Sequence, residues 1–274
     1  MLINEIMDCS YSIPKIIHLV WFGNREYPEL IQKCIRSWKD ILPDYEIKIW
    51  DESSVSNIKI PWLQEALSKK KYAFASDVVR AYALYHFGGV YMDTDVFLKR
   101  RFDDFLCHTF VSFVEYYPDY FDKSRIEIDG SKKLGLEFVR YLAINITFMA
   151  SIKGHEYMRM VLEEYKKRNF IKEDGSFQFI IGEDLYSLVA EQFGFKYKDE
   201  TQNLNNDICI FESKYYSHND DVSFGVHCYA QSWVNDCIGK KEILCRYIKS
   251  KVKVVLSFFD LYKKDWRHLK YDGE

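Results

Sequence analysis

The sequence predicts an α/β fold with a parallel sheet and crossover helices, and three stretches carry that expectation. "PKIIHLVWFG" (14–23) is a near-continuous apolar run, short, β-branched and ending in Gly, as a buried strand is. "YPELIQKCIRSWKDIL" then places Leu30, Cys34, Trp38 and Leu42 at helical spacing and stops at Pro43. "IPWLQEALSKKKYAFASDVVRAYALYHFGG" reads as mostly helical and closes on Gly88-Gly89, a C-cap signal, before the strand in "GGVYMDTDV" (88–96). With "YEIKIWDE" as an alternating second strand, the order is strand, helix, strand, helix, strand. Such alternation implies parallel strands joined by helical crossovers.

Beyond that region the types mix. "TFVSFVEYY" (109–117) and "AINITFMAS" (143–151) read as strands, "HEYMRMVLEEYKKRNF" as a helix, and "DICIF" (207–211) and "FGVHCYA" (224–230) as short strands. No repeat or low-complexity linker interrupts the chain. The expected organisation is one domain over residues 1–238 and a basic, amphipathic helical tail over 239–274.

Composition narrows the function. The 274 residues are 48% hydrophobic and 29% charged, as in a folded soluble protein. A net charge of −3 gives no support to a nucleic-acid partner. Seven scattered cysteines without a CxxC pair argue against a disulfide framework or zinc knuckle and for a reducing compartment. The N-terminus has no signal-peptide pattern, and no apolar run approaches the roughly 18 residues that span a bilayer. A cytoplasmic protein is expected.

Asp93 and Asp95 end an apolar strand, where ligands of parallel sheets bind. Two like charges on one side of a strand repel, and a hard divalent cation bridging them to a diphosphate would neutralise both. The plain alternative is a solvated turn. "DTDV" also fits the Asp-x-Asp-x-[Thr/Val] of haloacid-dehalogenase-type phosphatases, but there the motif lies on the first strand of the domain. Here two strand–helix units precede it. Upstream, Asp77 and Arg80 lie three apart on one helical face, either as an intrahelical ion pair or as contacts for sugar hydroxyls and phosphate oxygens.

"IPKIIHLVWFG" followed by "ASDVVRAYALYHFGGVYMDTDV" resembles the DXD glycosyltransferases, a family that includes yeast initiating mannosyltransferases, bacterial capsular-polysaccharide transferases and, more distantly, the clostridial glucosylating toxins. The resemblance covers residues 13 to about 100 well. It implies a GT-A fold (Rossmann-like, nucleotide-sugar-binding), Mn²⁺ or Mg²⁺, and retention of anomeric configuration. It also implies transfer of a hexose from a nucleoside diphosphate sugar, UDP-galactose or another UDP-sugar before GDP-mannose, to a glycan or lipid-linked acceptor in surface polysaccharide synthesis.

Carried over residue by residue, the resemblance makes Trp21 the aromatic that stacks on the base. Asp77 and Arg80 become sugar and phosphate contacts, and Tyr91 a donor-site tyrosine. Asp93 and Asp95 become the DXD pair, with Asp95 the more direct metal ligand. In "NITFMASIKGH", Asn145 matches a donor-site asparagine. In "HCYAQSW", His227 matches a metal ligand, and Ser232 and Trp233 match donors to the β-phosphate. Where relatives read Gly-Pro this chain has Gly182-Glu183, a departure from the family pattern on the acceptor side; Glu183 and Asp184 are candidates for acceptor contacts. The basic stretch 240–270 could dock on an anionic membrane surface or pack as an ordinary helix. A metal-dependent phosphatase and a non-catalytic glycan- or nucleotide-binding protein are the alternative functions.

Overall fold

The computed structural model describes residues 12–217 and 221–230. Strand β1 (Ile16–Val20) leads to α1 (Glu29–Ile41), β2 (Glu46–Trp50), the single turn α2 (Glu52–Val55), α3 (Pro61–Ser68) and α4 (Tyr72–Phe87). Then follow β3 (Gly89–Met92), β4 (Val96–Leu98), β5 (Phe110–Tyr116), β6 (Leu142–Ile144), β7 (Phe148–Ser151) and α5 (Glu156–Lys166). Helix α6 (Gly182–Ala190) and strands β8 (Gln202–Leu204), β9 (Ile208–Phe211) and β10 (Gly225–His227) complete the described elements.

The main sheet runs β2-β1-β3-β7-β5-β9-β8, with β6 paired to β5. Its first three strands are parallel, as the alternation predicts. The second half is mixed: β7 runs antiparallel to both β3 and β5, while β9 is parallel to β5. The segment 143–151 is two strands rather than one: β6 and β7 both run antiparallel to β5, and residues 145–147 interrupt the pairing between them.

Each face of the sheet buries its own core. Val78, Tyr91, Tyr157 and Leu185 join one, beneath α3, α4, α5 and α6; Trp38, Val90, Met92, Val96 and Phe148 join the other, beneath α1 and β4. Strand β3 is buried throughout, and its alternation sends Tyr91 towards α4 and Val90 and Met92 to the opposite side.

Gly88 and Gly89 allow the passage from α4 into β3. Both have positive φ (68° and 100°), which other residues resist. A Cβ on Gly88 would sit 2.7 Å from the Lys153 nitrogen, and one on Gly89 2.6 Å from the Ile16 carbonyl oxygen. The Gly88 carbonyl is also 2.8 Å from His18 Nε2, and Trp50 Nε1 is 3.2 Å from His18 Nδ1. A carbonyl only accepts and an indole N–H only donates, so His18 is neutral with its proton on Nε2. Burial pushes its pKa down to about 4.

Two sequence expectations are amended. Cys107 is disulfide-bonded, so the cysteines are not uniformly the free thiols that their scatter predicts. Asp93 and Asp95 lie in the turn between β3 and β4, not on a strand. Among the described residues no helix is long and apolar enough to cross a membrane. The tail 239–274 lies outside them.

Candidate active site

The Asp93–Asp95 turn is fixed from three sides. Its own bond runs from the Val96 N–H to the Asp93 carbonyl (3.1 Å). The Asp93 N–H reaches the Thr147 carbonyl (2.9 Å), and the Asp95 carbonyl accepts from the Cys228 N–H (2.8 Å). Helix α1 holds the strand that follows: Trp38 Nε1 donates to the Val96 carbonyl (2.6 Å), and Ser37 Oγ accepts from the Leu98 N–H (3.0 Å). Truncating buried Trp38 to Ala would cost about 3–5 kcal/mol and release this strand.

Strand β10 pairs antiparallel with β4, His227 opposite Val96. That pairing brings His227 Nε2 to 3.0 Å from Asp95 Oδ1 and 3.9 Å from Asp93 Oδ2. One ligand atom each from Asp93, Asp95 and His227 lies within 4.8 Å of the others. Two carboxylate oxygens and an imidazole nitrogen, converging beyond the end of a buried strand, fit a divalent cation. Buried His227 Nδ1 has no hydrogen-bond partner among the described residues. For Asp95, burial raises the carboxyl pKa, but attraction and a hydrogen bond from His227 and the Ala230 N–H outweigh it, so the group is held below the usual carboxylate range.

Asp77 and Arg80 of α4 stand beside this cluster. They form the intrahelical pair expected from their spacing (3.0 Å), and Arg80 also reaches Asp93 Oδ1 (3.5 Å). The guanidinium lies 4.6 Å from the Tyr91 ring centroid, and the Tyr91 hydroxyl donates to Asp93 Oδ1 (2.7 Å). Burial pushes Asp77 up to about 6, with Arg80 pulling down and Asp93 pushing further up. Three carboxylates (77, 93, 95) against one guanidinium leave this set with two excess negative charges, which one divalent cation would neutralise.

The other expected residues divide. Trp21 follows β1 at the same sheet end; its ring packs tilted against Tyr27 (centroids 4.8 Å apart) and its Nε1 donates to the Arg25 carbonyl (2.7 Å). Asn145 faces its own turn: its Oδ1 accepts from the Thr147 N–H (2.9 Å), Thr147 Oγ1 (2.8 Å) and the Phe148 N–H (3.3 Å). The turn thereby aims the Ile146 carbonyl at Arg80 (2.7 Å) and the Thr147 carbonyl at Asp93.

Glu183 and Asp184 occupy the first turn of α6. Gly182 packs so closely that a Cβ there would meet Asp77 Oδ1 at 2.9 Å, and the Tyr186 hydroxyl donates to the Asp77 carbonyl (2.8 Å). Burial, then the Glu115 and Asp77 carboxylates, push Glu183 well above the usual range. Asp184 turns instead to Arg140 (3.3 Å), and burial pushes it up to about 6. Ser232 and Trp233 lie outside the described residues.

Glu115 is the residue that the sequence reading missed. It is buried on β5, takes a hydrogen bond from Tyr117, and through the Tyr117–Tyr229 hydroxyl contact (3.2 Å) adjoins the Tyr229 ring, which packs on His227. An acid inside the apolar run "FVSFVEYY" was the available signal.

Residues 28–111 match the family described as a glycosyltransferase sugar-binding region containing the DXD motif. The chain carries a DXD-type sugar-binding region. The chain is also similar to curated yeast proteins. Inositol phosphoceramide mannosyltransferase 3 of Schizosaccharomyces pombe is 38% identical over 101 residues, 35% of this chain and 28% of that protein. Mannosyl phosphorylinositol ceramide synthase CSH1 of Saccharomyces cerevisiae is 37% identical over 101 residues, 34% of this chain and 26% of its own length. The matched segment thus spans only about a quarter of the length of these relatives. Among solved structures, the PaToxG glycosyltransferase matches at a TM-score of 0.44 and 19% identity, over 66% of this chain and 69% of that one.

Proposed function

We propose that this chain is a metal-dependent, retaining hexosyltransferase of GT-A type. It moves a sugar from a nucleoside diphosphate donor to a hydroxyl on a glycan or lipid-linked acceptor. The observation that carries this reading is the convergence of Asp93 and Asp95, with Asp77 and Arg80 alongside, inside the matched region 28–111, and of His227 from beyond it. Asp93, Asp95 and His227 would hold Mn²⁺ or Mg²⁺, and the imidazole favours Mn²⁺. When bound, the cation supplies positive charge to a departing nucleoside diphosphate.

The chain's own residues do the rest. Asp77 presents a carboxylate to sugar hydroxyls, Trp21 offers an aromatic face at the base end, and Ser232 and Trp233 donate to the β-phosphate. Glu183 borders the sugar from α6, and both Glu183 and Asp184 are proposed acceptor contacts. Excluding water at this buried sheet end strengthens each of these interactions. UDP-sugars come first among donors, and the mannose transfer named for the yeast relatives makes GDP-mannose the necessary comparison.

The test is a donor panel of UDP-galactose, UDP-glucose, UDP-GlcNAc and GDP-mannose with Mn²⁺ or EDTA, scored for sugar release and transfer. One donor should turn over with metal and not with EDTA, and Asp95→Ala should remove that turnover. Unchanged turnover in Asp95→Ala would refute the assignment. Cleavage of phosphate monoesters without sugar transfer would favour the phosphatase reading.

A further inference from the structure

Each carboxylate of the Asp pair has one oxygen engaged by the protein and one turned towards its fellow ligands. For Asp95, Oδ2 accepts from the Ala230 N–H (2.7 Å), while Oδ1 faces His227. For Asp93, Oδ1 takes the Tyr91 hydroxyl (2.7 Å) and the Arg80 guanidinium (3.5 Å), while Oδ2 faces His227 Nε2. Five groups face the Arg80 guanidinium, three as hydrogen-bond acceptors and two as ion-pair carboxylates. They are the Ser76 carbonyl (3.4 Å), Ser76 Oγ (3.2 Å), the Ile146 carbonyl (2.7 Å), Asp77 Oδ1 (3.0 Å) and Asp93 Oδ1. Arg80 is 4% exposed and Tyr91 2%. A guanidinium so enclosed is turned into the protein and towards two of its own carboxylates, and Tyr91 has its hydroxyl committed to Asp93.

We propose that Arg80 and Tyr91 are positioning residues for the divalent cation rather than contacts for the donor sugar. Together they clamp Asp93 by Oδ1 and leave Oδ2 to bind the ion. Tyr91 does this twice: its hydroxyl holds the carboxylate, and its ring face supports the guanidinium that shares Asp93 with Asp77. A ligating carboxylate fixed through its second oxygen loses less freedom when it binds an ion. The donor's diphosphate then depends on the cation for its positive counter-charge, without Arg80. The inference rests on the metal-dependent reading above.

The experiment titrates the full chain with Mn²⁺ in the absence of nucleotide, and separately measures donor KM at limiting and saturating Mn²⁺. Thermal unfolding of each variant is recorded alongside. Tyr91→Phe removes one hydroxyl and keeps the ring; it should weaken Mn²⁺ binding by roughly 10- to 100-fold. Its donor KM should return near the wild-type value once Mn²⁺ saturates. Arg80→Lys should weaken Mn²⁺ similarly, since an ammonium cannot face both Asp77 and Asp93 with a planar fork.

Wild-type Mn²⁺ affinity in Tyr91→Phe, with a donor KM that stays raised at saturating Mn²⁺, would overturn the proposal and return Tyr91 to the donor site. Asp95→Asn separates this from failure of the metal site itself. If Asp95→Asn binds Mn²⁺ as tightly as wild type, the site is not a metal site and both readings fall. If Asp95→Asn loses Mn²⁺ and Tyr91→Phe does not, only the positioning role falls.

Discussion

Asn145 and Gly182 show how single residues outside the Asp pair set its geometry. The Asn145 carboxamide oxygen satisfies two backbone N–H groups and a hydroxyl in the turn that faces Arg80 and Asp93. Asn145→Ala leaves the Thr147 and Phe148 N–H groups without this buried acceptor. It should lower stability by about 1–3 kcal/mol in chemical denaturation and reduce transfer beyond the effect on folding. Gly182 matters for space. A Cβ there would lie 2.4 Å from Ile146 Cδ1 and 2.9 Å from Asp77 Cγ. The isoleucine methyl can shift, but Asp77 is held by Arg80, so Gly182→Ala should cost about 1–3 kcal/mol and raise donor KM by displacing Asp77. Asp77, Arg80 and the Asp pair were legible in the sequence because each lies within one short motif. Glu115 and the roles of the Ile146 and Thr147 carbonyls were not, because backbone acceptors carry no side-chain signature.

At the scale of elements, the junction of α4 with β3 is a pH-sensitive part of the fold. Neutral His18 links β1 to the Gly88 carbonyl and to Trp50 of β2. Its pKa is depressed by burial to about 4, below the value of about 6.5 in an unfolded chain. Between those values the unfolded state binds more protons, so stability is fully present above about pH 6.5 and falls as pH drops towards 4. The loss at the low end should be about 3 kcal/mol, visible as a declining melting temperature. A His18→Gln variant should be less stable at pH 7 and show a flatter slope through this window. The β4–β10 ribbon is the second decisive element. From the sequence, β10 is expected within 224–230, whereas β4 is not separated from the stretch 88–96, since three-residue strands show too little alternation to reveal themselves or their pairing.

For the whole molecule, the sheet divides into a parallel half that was predicted and a mixed half that was not. Strand direction after β3 depends on which edges and faces remain open once the first half has packed, and no local pattern encodes that. The basic stretch 240–270 lies outside the described residues, and we propose that it docks on an anionic membrane surface. The full chain should float with phosphatidylserine-containing liposomes, and a chain ending at residue 238 should not; equal flotation would remove the idea. The sequence by itself determined the order of the first five principal elements, the Gly88-Gly89 passage, the Asp77–Arg80 pair and the Asp-x-Asp motif. All of these are short-range: helical spacing, apolar runs and obligatory glycines act within a few residues. Only the tertiary structure decided that His227, 132 positions beyond Asp95, completes the cluster. It also decided that Arg80 turns inward to Asp93 and that Gly182 presses α6 onto Asp77. Those contacts arise when two cores close on opposite faces of one sheet, which joins residues that no spacing relates.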